Sequence, residues 1–263
     1  MDLGLKGIKA LVTGSSRGLG YATALELAKE GCDICINSRS KEKIQSAEQT
    51  ISAQTNTKVY SIWSDIAQPE AAEMIIAEAA HNMDGIDILV TNSGGPPSGS
   101  FESFDDQDWQ AAIELNFLSH MRLIRSALPF LEKSDNASVL TITSMSVKQP
   151  VPNLVLSNSI RSATVGLTKS LSLELGNLGI RFNSILPGWT ETERVQELMA
   201  FRAKTNETSI EEETAKQALN SPFKRLASPQ EFANVAVFLV SPAASYLTGT
   251  MLVVDGGMYK ATY

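Results

Sequence analysis

A glycine-rich segment near the start of the chain constrains the fold more than any other feature. Residues 13–20, Thr-Gly-Ser-Ser-Arg-Gly-Leu-Gly, follow an apolar run at 8–12 and precede an amphipathic stretch carrying Ala22, Leu25, Leu27 and Ala28. Glycine lacks Cβ, so the turn can tighten and a pyrophosphate can approach the backbone, while the start of the next helix offers free N–H groups. A glycine cluster alone also fits an ordinary turn, but its place between a predicted strand and a predicted helix favours a dinucleotide site.

Composition and charge limit the class of protein. The 263 residues are 43% hydrophobic, enough for one sizeable core, and 29 acidic against 22 basic residues give a net charge of -7. Because there is no basic block, nucleic acid is a poor partner. No stretch reaches the roughly 18 apolar residues of a membrane span, and residues 1–4 lack the pattern of a signal peptide. The sequence therefore predicts a soluble, cytoplasmic protein with no membrane partner.

The cysteines and histidines do not indicate a metal or redox site. Cys32 and Cys35 form a C-x-x-C pattern, but they lie in a predicted strand, where residues three apart point to opposite faces. His81 and His120 have no second histidine or carboxylate at ligand spacing. Surface or packing roles are favoured for both, and we predict no metal.

Apolar runs alternate with helical patterns along the whole chain. The predicted strands lie at 8–12, 33–37, 58–62, 87–91, 138–143, 180–186 and 251–254. Such alternation predicts an α/β protein with a doubly wound Rossmann fold, whose seven-stranded, mainly parallel sheet carries helices on both faces. No repeat or linker interrupts the pattern, so residues 1–263 are predicted to form a single dinucleotide-binding domain.

The segment 191–222 differs in residue pattern from the rest of the chain. It is charged, contains two short helical patterns, and follows the Pro187-Gly188 loop at the carboxyl end of a predicted strand. A solvated helical pair would explain these features. However, ligands of open α/β sheets bind outside the carboxyl ends of the strands, so we predict a small helical substrate lid.

Several motifs occur in the order typical of one enzyme family. They are Thr13-Gly14-x-x-x-Gly18-x-Gly20, Asp65-Ile66, Asn92-Ser93-Gly94-Gly95, Asn116, Ser144, Pro187-Gly188-x-x-x-Thr192 and Asp255-Gly256-Gly257. Over nearly its full length the chain resembles the short-chain dehydrogenase/reductase family, and most of all its 3-oxoacyl-(acyl carrier protein) reductase-like members from bacteria. The family's usual Asn-Asn-Ala-Gly is Asn-Ser-Gly-Gly here, which indicates a divergent member. The resemblance implies an oxidoreductase with a small-molecule substrate.

The charge pattern after the second strand indicates the cofactor. An NAD site usually places Asp or Glu there, whereas NADP needs positive charge for its 2′-phosphate. Here the strand ends in Ser38-Arg39 without a carboxylate, Arg17 adds a second cation, and arginine suits phosphate geometry, so we predict NADP(H). Together with the resemblance, this gives the predicted cofactor-binding residues Gly14, Ser15, Ser16, Arg17, Gly18, Leu19, Gly20, Ser38, Arg39, Asp65, Ile66, Asn92, Ser93, Gly94, Arg161, Pro187, Gly188, Thr190 and Thr192.

The predicted catalytic centre departs from the family pattern. In the family a serine precedes Tyr-x-x-x-Lys by thirteen residues: the serine binds the substrate carbonyl, the tyrosine exchanges the proton, and the lysine lowers the pKa of the tyrosine and holds the nicotinamide ribose. Counting from Ser144 reaches Ser157 and then Arg161, so the resemblance implies the catalytic set Asn116, Ser144, Ser157 and Arg161. Serine is a far weaker acid than a phenol of pKa about 10, and arginine stays protonated, so it cannot relay a proton.

Three hypotheses follow. The first is an NADPH-dependent reductase that uses Asn116, Ser144, a water and Arg161, with Lys148 as a substitute acid, although a lone loop lysine is more typical of a surface residue. The second is an enzyme with different chemistry on the same cofactor site, and the third is a non-catalytic NADPH-binding or regulatory protein. Retention of Asn116 and Ser144 favours the first. In similar proteins two helices, here near 107–132 and 154–175, and the carboxyl end form subunit interfaces, so we expect a homodimer or homotetramer.

Overall fold

Seven short strands form the centre of the fold. In the computed structural model, which describes residues 2–262, they are β1 (Lys9–Val12), β2 (Asp33–Ser38), β3 (Val59–Trp63), β4 (Ile88–Thr91), β5 (Ser138–Ile142), β6 (Arg181–Pro187) and β7 (Met251–Val254). They pair in the order β3-β2-β1-β4-β5-β6-β7, and every pair is parallel. The predicted Rossmann fold is confirmed, with a sheet that is parallel throughout rather than mainly parallel.

Helices cover both faces of this sheet. They are α1 (Gly18–Lys29), α2 (Lys41–Gln54), α3 (Ala71–Met83), α4 (Asp106–Ile113), α5 (Ser119–Leu131), α6 (Val155–Glu174), α7 (Glu193–Asn206), α8 (Ile210–Leu219) and α9 (Pro229–Val240). A π-helical turn, Glu114–Leu118, joins α4 to α5.

Side chains alternate across the sheet and thereby form two separate cores. In β1, Ala10 and Val12 pack with α1, α2 and α9, whereas Leu11 between them packs with α3 and α5. Residues on both sides of a covered strand are buried, which explains why β1 carries apolar residues at consecutive positions. The two cysteines separate in the same way: Cys32 belongs to the first core and Cys35 to the second.

The predicted helical pair of residues 191–222 consists of α7 and α8. Each helix begins at a hydroxyl cap, since the Thr192 side chain accepts a hydrogen bond from Val195 N and Ser209 accepts one from Glu212 N. A third apolar cluster fixes α7 to the end of the sheet; it contains Met145, Trp189, Met199, Leu226 and Met258.

Three further findings concern metals, thiols and membranes. Within residues 2–262, no group of three or more His, Cys, Asp and Glu side chains is placed to hold a metal ion. Burial raises the pKa of the Cys32 thiol to about 12 and also raises the pKa of Cys35, so both stay protonated and unreactive at neutral pH. No helix in the described part of the chain is long and apolar enough to cross a membrane.

Candidate active site

A cavity of about 450 Å³ lies along the carboxyl ends of the parallel strands. Its wall is formed by the loops that follow β1 to β6, together with residues of α6 and α7. The chain turns back across the sheet between β1 and β4, and the crevice at such a reversal is where open α/β sheets bind their ligands.

The glycine loop after β1 is packed too closely for side chains. Gly14 and Gly18 have φ of 57° and 60°, in the left-handed region that favours glycine. A Cβ on Gly14 would lie 2.7 Å from Asn92 O, and one on Gly20 would lie 2.5 Å from Gly14 O. Arg17 precedes α1 without providing a side-chain cap, so the first N–H groups of the helix can bind a phosphate.

All but two of the predicted cofactor-binding residues line this cavity. They are Gly14, Ser16, Arg17, Gly18, Leu19, Ser38, Arg39, Asp65, Ile66, Asn92, Ser93, Gly94, Arg161, Pro187, Gly188, Thr190 and Thr192. The exceptions are Gly20, which packs against Gly14, and Ser15. The buried Ser15 hydroxyl donates to Val12 O at 2.7 Å and accepts from Asn37 N at 3.1 Å, so it ties the loop to β2 and does not face a ligand.

One end of the cavity carries two exposed arginines. Arg17 and Arg39 both line it, and no carboxylate stands beside Arg39 at the end of β2. Arg17 reaches the lid helix α7, where its Nη2 lies 3.6 Å from Glu197 Oε1. Sequence reasoning missed Asn37 at this end: its Nδ2 donates to Ile62 O and Ser64 O, and its buried Oδ1 has no partner.

The other end of the cavity contains Ser144, Ser157 and Arg161. The Ser144 Oγ accepts a hydrogen bond from Ser146 N at 3.1 Å, which leaves the hydroxyl proton available to a ligand. Arg161 Nε donates to Ser157 Oγ at 3.2 Å. These contacts place two hydroxyl groups and one positive charge at the same end.

Arg161 is buried among neutral oxygen atoms. Besides Ser157, its acceptors are Ile142 O, Thr143 O and Gly94 O, at 3.3, 3.4 and 3.3 Å. No carboxylate of residues 2–262 forms an ion pair with it. Burial, and secondarily the positive charge of Arg194, lowers its pKa to about 10, so it remains charged at neutral pH.

Asn116 lies behind the cavity wall and does not line the cavity. It is only 1% exposed, and its Nδ2 donates to Ser93 Oγ at 2.8 Å and to Gly94 O at 2.7 Å. Asn116 belongs to the π-helical turn, a local widening of the helix that is frequent near functional sites. These contacts position residues 93 and 94, and the catalytic role that the resemblance implies for Asn116 stays a prediction.

His120 extends this buried network. Its Nε2 lies 3.1 Å from Ser93 Oγ and its Nδ1 lies 2.8 Å from Thr91 Oγ1. Burial, with a smaller contribution from Arg161, lowers the pKa of His120 to about 3, so the ring is neutral. His120 therefore has a packing and positioning role.

Lys148 is directed away from the cavity. Its Nζ lies 5.4 Å from the centre of the Tyr259 ring, and Lys148 is not among the cavity-lining residues. This geometry gives no support to Lys148 as a substitute acid.

The lid contributes charged side chains that sequence reasoning did not single out. Arg194 and Glu197 of α7 both line the cavity. Arg194 Nη2 donates to Pro96 O at 2.6 Å, and its Nη1 lies 3.7 Å from Glu197 Oε2. The high content of charged residues in 191–222 was the only signal in the sequence for these side chains. It did not indicate which charged residue faces the cavity.

Comparisons with known proteins agree with this architecture. A family model described as enoyl-(acyl carrier protein) reductase matches residues 14–259. Dehydrogenase/reductase SDR family member 4 of Homo sapiens is 31% identical over 249 residues, covering 94% of this chain and 86% of the relative. The 3-oxoacyl-(acyl carrier protein) reductase of Aquifex aeolicus is 30% identical over 261 residues, covering 98% of this chain and all of the relative.

A solved structure shows the same fold. L-sorbose reductase from Gluconobacter frateurii, in complex with NADPH and L-sorbose, superposes with a TM-score of 0.94 at 31% identity, covering 99% of this chain and 100% of that protein. Sheet order, glycine loop and sequence similarity lead to one conclusion: the chain belongs to the short-chain dehydrogenase/reductase family.

Proposed function

We propose that the protein is an NADP(H)-dependent oxidoreductase that transfers hydride between nicotinamide and a carbonyl or alcohol group of a small substrate, with 3-oxoacyl compounds among the candidates. The observation that carries this proposal is a single cavity joining the glycine loop and two arginines to Ser144, Ser157 and Arg161. The similarity to a reductase solved with NADPH supports it.

The residues present fit such a cofactor. The close packing at Gly14 and Gly20 keeps side chains out of the loop, and the uncapped start of α1 suits a pyrophosphate. At the adenosine end, Arg17 and Arg39 would hold the 2′-phosphate, with Ser38, Asp65 and Ile66 beside them. At the nicotinamide end, the buried Thr190 Oγ1 has no partner and can bind a polar group, beside Pro187, Gly188 and Thr192.

Ser144 is proposed to stabilise the reacting oxygen. NADPH would supply the hydride, and reduction of a carbonyl builds negative charge on the substrate oxygen. Ser144 accepts from Ser146 N, so its own proton can be donated to that oxygen. The buried charge of Arg161 favours the same negative charge.

Ser157 and Arg161 are proposed to occupy the positions at which the family pattern has tyrosine and lysine. The Ser157 hydroxyl accepts from Arg161 Nε and keeps a proton that can bind a water. Since a serine hydroxyl is too weak an acid for the role of a phenol, we infer that a water beside Ser157 delivers the proton. The alternative is a protein that binds NADPH but turns over no substrate. The absence of a tyrosine at position 157 favours this alternative as well.

Cofactor preference tests the first part of this proposal. NADPH is expected to bind at least about tenfold more tightly than NADH, because charge-assisted hydrogen bonds from Arg17 and Arg39 to the 2′-phosphate have no equivalent with NADH. Calorimetry should show that Arg39→Ala weakens NADPH binding and leaves NADH binding unchanged. Lys41→Ala is the matched control, since Lys41 is a nearby cation that does not line the cavity. Equal affinities for the two cofactors in the parent protein would contradict the assignment.

We further infer that the protein assembles as a homodimer or homotetramer. Leu173 of α6 and Tyr246 are exposed to 75% and 101%. The end of α6 lies near the start of β7, since Gly249 packs against Ser172, and β7 forms an open edge of the sheet. Light scattering at micromolar concentration is expected to give a dimer or tetramer mass, and Tyr246→Arg should reduce it. Met74→Arg, at an exposed apolar residue of α3, should have no such effect. A monomeric parent protein would refute the expectation.

A further inference from the structure

Two arginines from different elements meet at the catalytic end of the cavity. Arg161 comes from α6 and Arg194 from α7, and both line the wall. Arg161 Nη2 donates to Gly94 O at 3.3 Å, and the Arg194 guanidinium lies against the next residue, Gly95, so the two guanidinium groups lie on adjacent residues of one loop. Two positive charges therefore lie at this end of the cavity, with Glu193 and Glu197 of α7 also in the wall.

Arg161 is a buried cation without a counterion. It is 8% exposed, and its hydrogen bonds all go to neutral oxygen atoms at 3.2–3.4 Å. Burying a charge without an opposite charge is unfavourable, and an anion brought by a ligand would offset this cost.

The phosphates of the cofactor are poorly placed to supply that anion. Arg161 contacts the end of β5, whereas the 2′-phosphate would lie at Arg39 after β2 and the pyrophosphate at the glycine loop after β1. In the sheet order β2-β1-β4-β5 these strands are three and two steps from β5, roughly 14 and 10 Å at the usual strand spacing. The counterion for Arg161 is therefore expected from the substrate.

Arg194 is held in a position to contact that anion directly. Its guanidinium lies over Gly95, where a Cβ would come within 2.9 Å of Nε, and donates to Pro96 O. Glu197, which is also 3.6 Å from Arg17, neutralises it only in part. A guanidinium has five N–H donors, so donors remain for a ligand.

We propose that the substrate of this site is a carbonyl compound that carries a carboxylate, with the carboxylate bound by Arg194 beside Arg161 and the carbonyl oxygen at Ser144. This inference names the substrate class of the proposed oxidoreductase and rests on that function. Arg161 and Arg194 carry two positive charges, and Glu197, which is shared with Arg17, offsets them only in part, so a carboxylate can be bound there. Apolar neighbours suit the body of such an acid; they are Met145, Val151, Leu154, Trp189 and Leu198.

Binding of matched probes tests the proposal without requiring turnover. Calorimetry on protein saturated with NADP⁺ compares 2-oxopentanoate and 4-oxopentanoate with their neutral amides and with inorganic phosphate. At least one carboxylate should bind about tenfold more tightly than its amide and than phosphate. Arg194→Gln should abolish this preference without changing the affinity for NADP⁺, and Arg194→Lys should retain part of it.

Two further variants of α7 test whether the effect depends on the charge of Arg194. Glu197→Gln removes the carboxylate that competes for Arg194 and should strengthen carboxylate binding. Lys204→Gln removes an exposed cation of the same helix and should change nothing. Opposite responses of Arg194→Gln and Glu197→Gln cannot arise from a general loss of folding.

Several results would overturn the proposal. They are equal affinity of the acid and its amide, binding of neither, tighter binding of phosphate, or a loss of NADP⁺ affinity in Arg194→Gln. If NADP⁺ binds normally and no carboxylate preference exists, the carboxylate proposal fails while the proposed oxidoreductase stands. If NADP⁺ itself does not bind, the proposed function fails, and titration of the cofactor-free protein still reports whether Arg194 and Arg161 prefer the acid.

Discussion

Replacing Ser144 by alanine is expected to lower carbonyl turnover about 10²–10³-fold while leaving the affinity for NADPH unchanged. A hydrogen bond to a developing oxyanion is stronger in the transition state than in the ground state, so its loss lowers the rate of the chemical step. The Ser144 hydroxyl accepts a hydrogen bond from Ser146 N, so its own proton is available for donation to the substrate. The measurement is NADPH oxidation with a panel of ketones and oxo acids.

The control for this variant is Ser162→Ala. Ser162 lies on the exposed side of α6, and its hydroxyl donates to Asn158 O, outside the cavity. It should retain full activity. Suppose instead that the parent protein binds NADPH, turns over no carbonyl in a broad panel, and does not respond to Ser144→Ala. A regulatory NADPH-binding protein would then be the better interpretation.

The fold could be predicted because its signals are local and repeated. Each predicted strand overlaps an observed one, because a strand buried on both faces favours apolar residues at consecutive positions, such as Ala10, Leu11 and Val12. The glycine loop could be predicted because close packing excludes side chains at Gly14 and Gly20, whatever the rest of the sequence.

The direction of individual side chains could not be predicted in the same way. Ser15 lies within the glycine motif and Asn116 matches a family motif, yet both side chains are directed into the protein: Ser15 contacts β1 and β2, and Asn116 contacts the loop after β4. A motif fixes the backbone position, while the π-helical turn and the β2 contact decide where these two side chains lie.

Arg194 was missed for a related reason. A charged helix is usually solvated on its polar face, and α7 has two other charged residues, Arg202 and Lys204, that do not line the cavity. Arg194 reaches inward only because Gly95, nearly a hundred residues earlier, leaves room for the guanidinium. Such a long-range fit has no local sequence signal.

The largest expected effect comes from installing the missing acid. Ser157→Tyr combined with Arg161→Lys should raise the reduction of simple ketones by about 10²–10⁴-fold, the usual contribution of a positioned general acid. Ser157 lines the cavity one helical turn before Arg161, and its Oγ already contacts the Arg161 side chain. A tyrosine there would project into the cavity beside the lysine, whose charge would lower the pKa of the phenol.

The pH profile identifies the new acid. Reduction requires the protonated phenol, so the activity of the double variant should fall as pH rises through the pKa of the new tyrosine. The parent protein should not show this decrease in activity. Arg161→Lys alone is the matched control and should give no gain, because it supplies a charge but no acid. The affinity for NADPH and the Tm must be measured in parallel. If both are retained and ketone reduction does not rise, Ser157 does not occupy the position of the proton donor, and the proposed arrangement of this site is wrong.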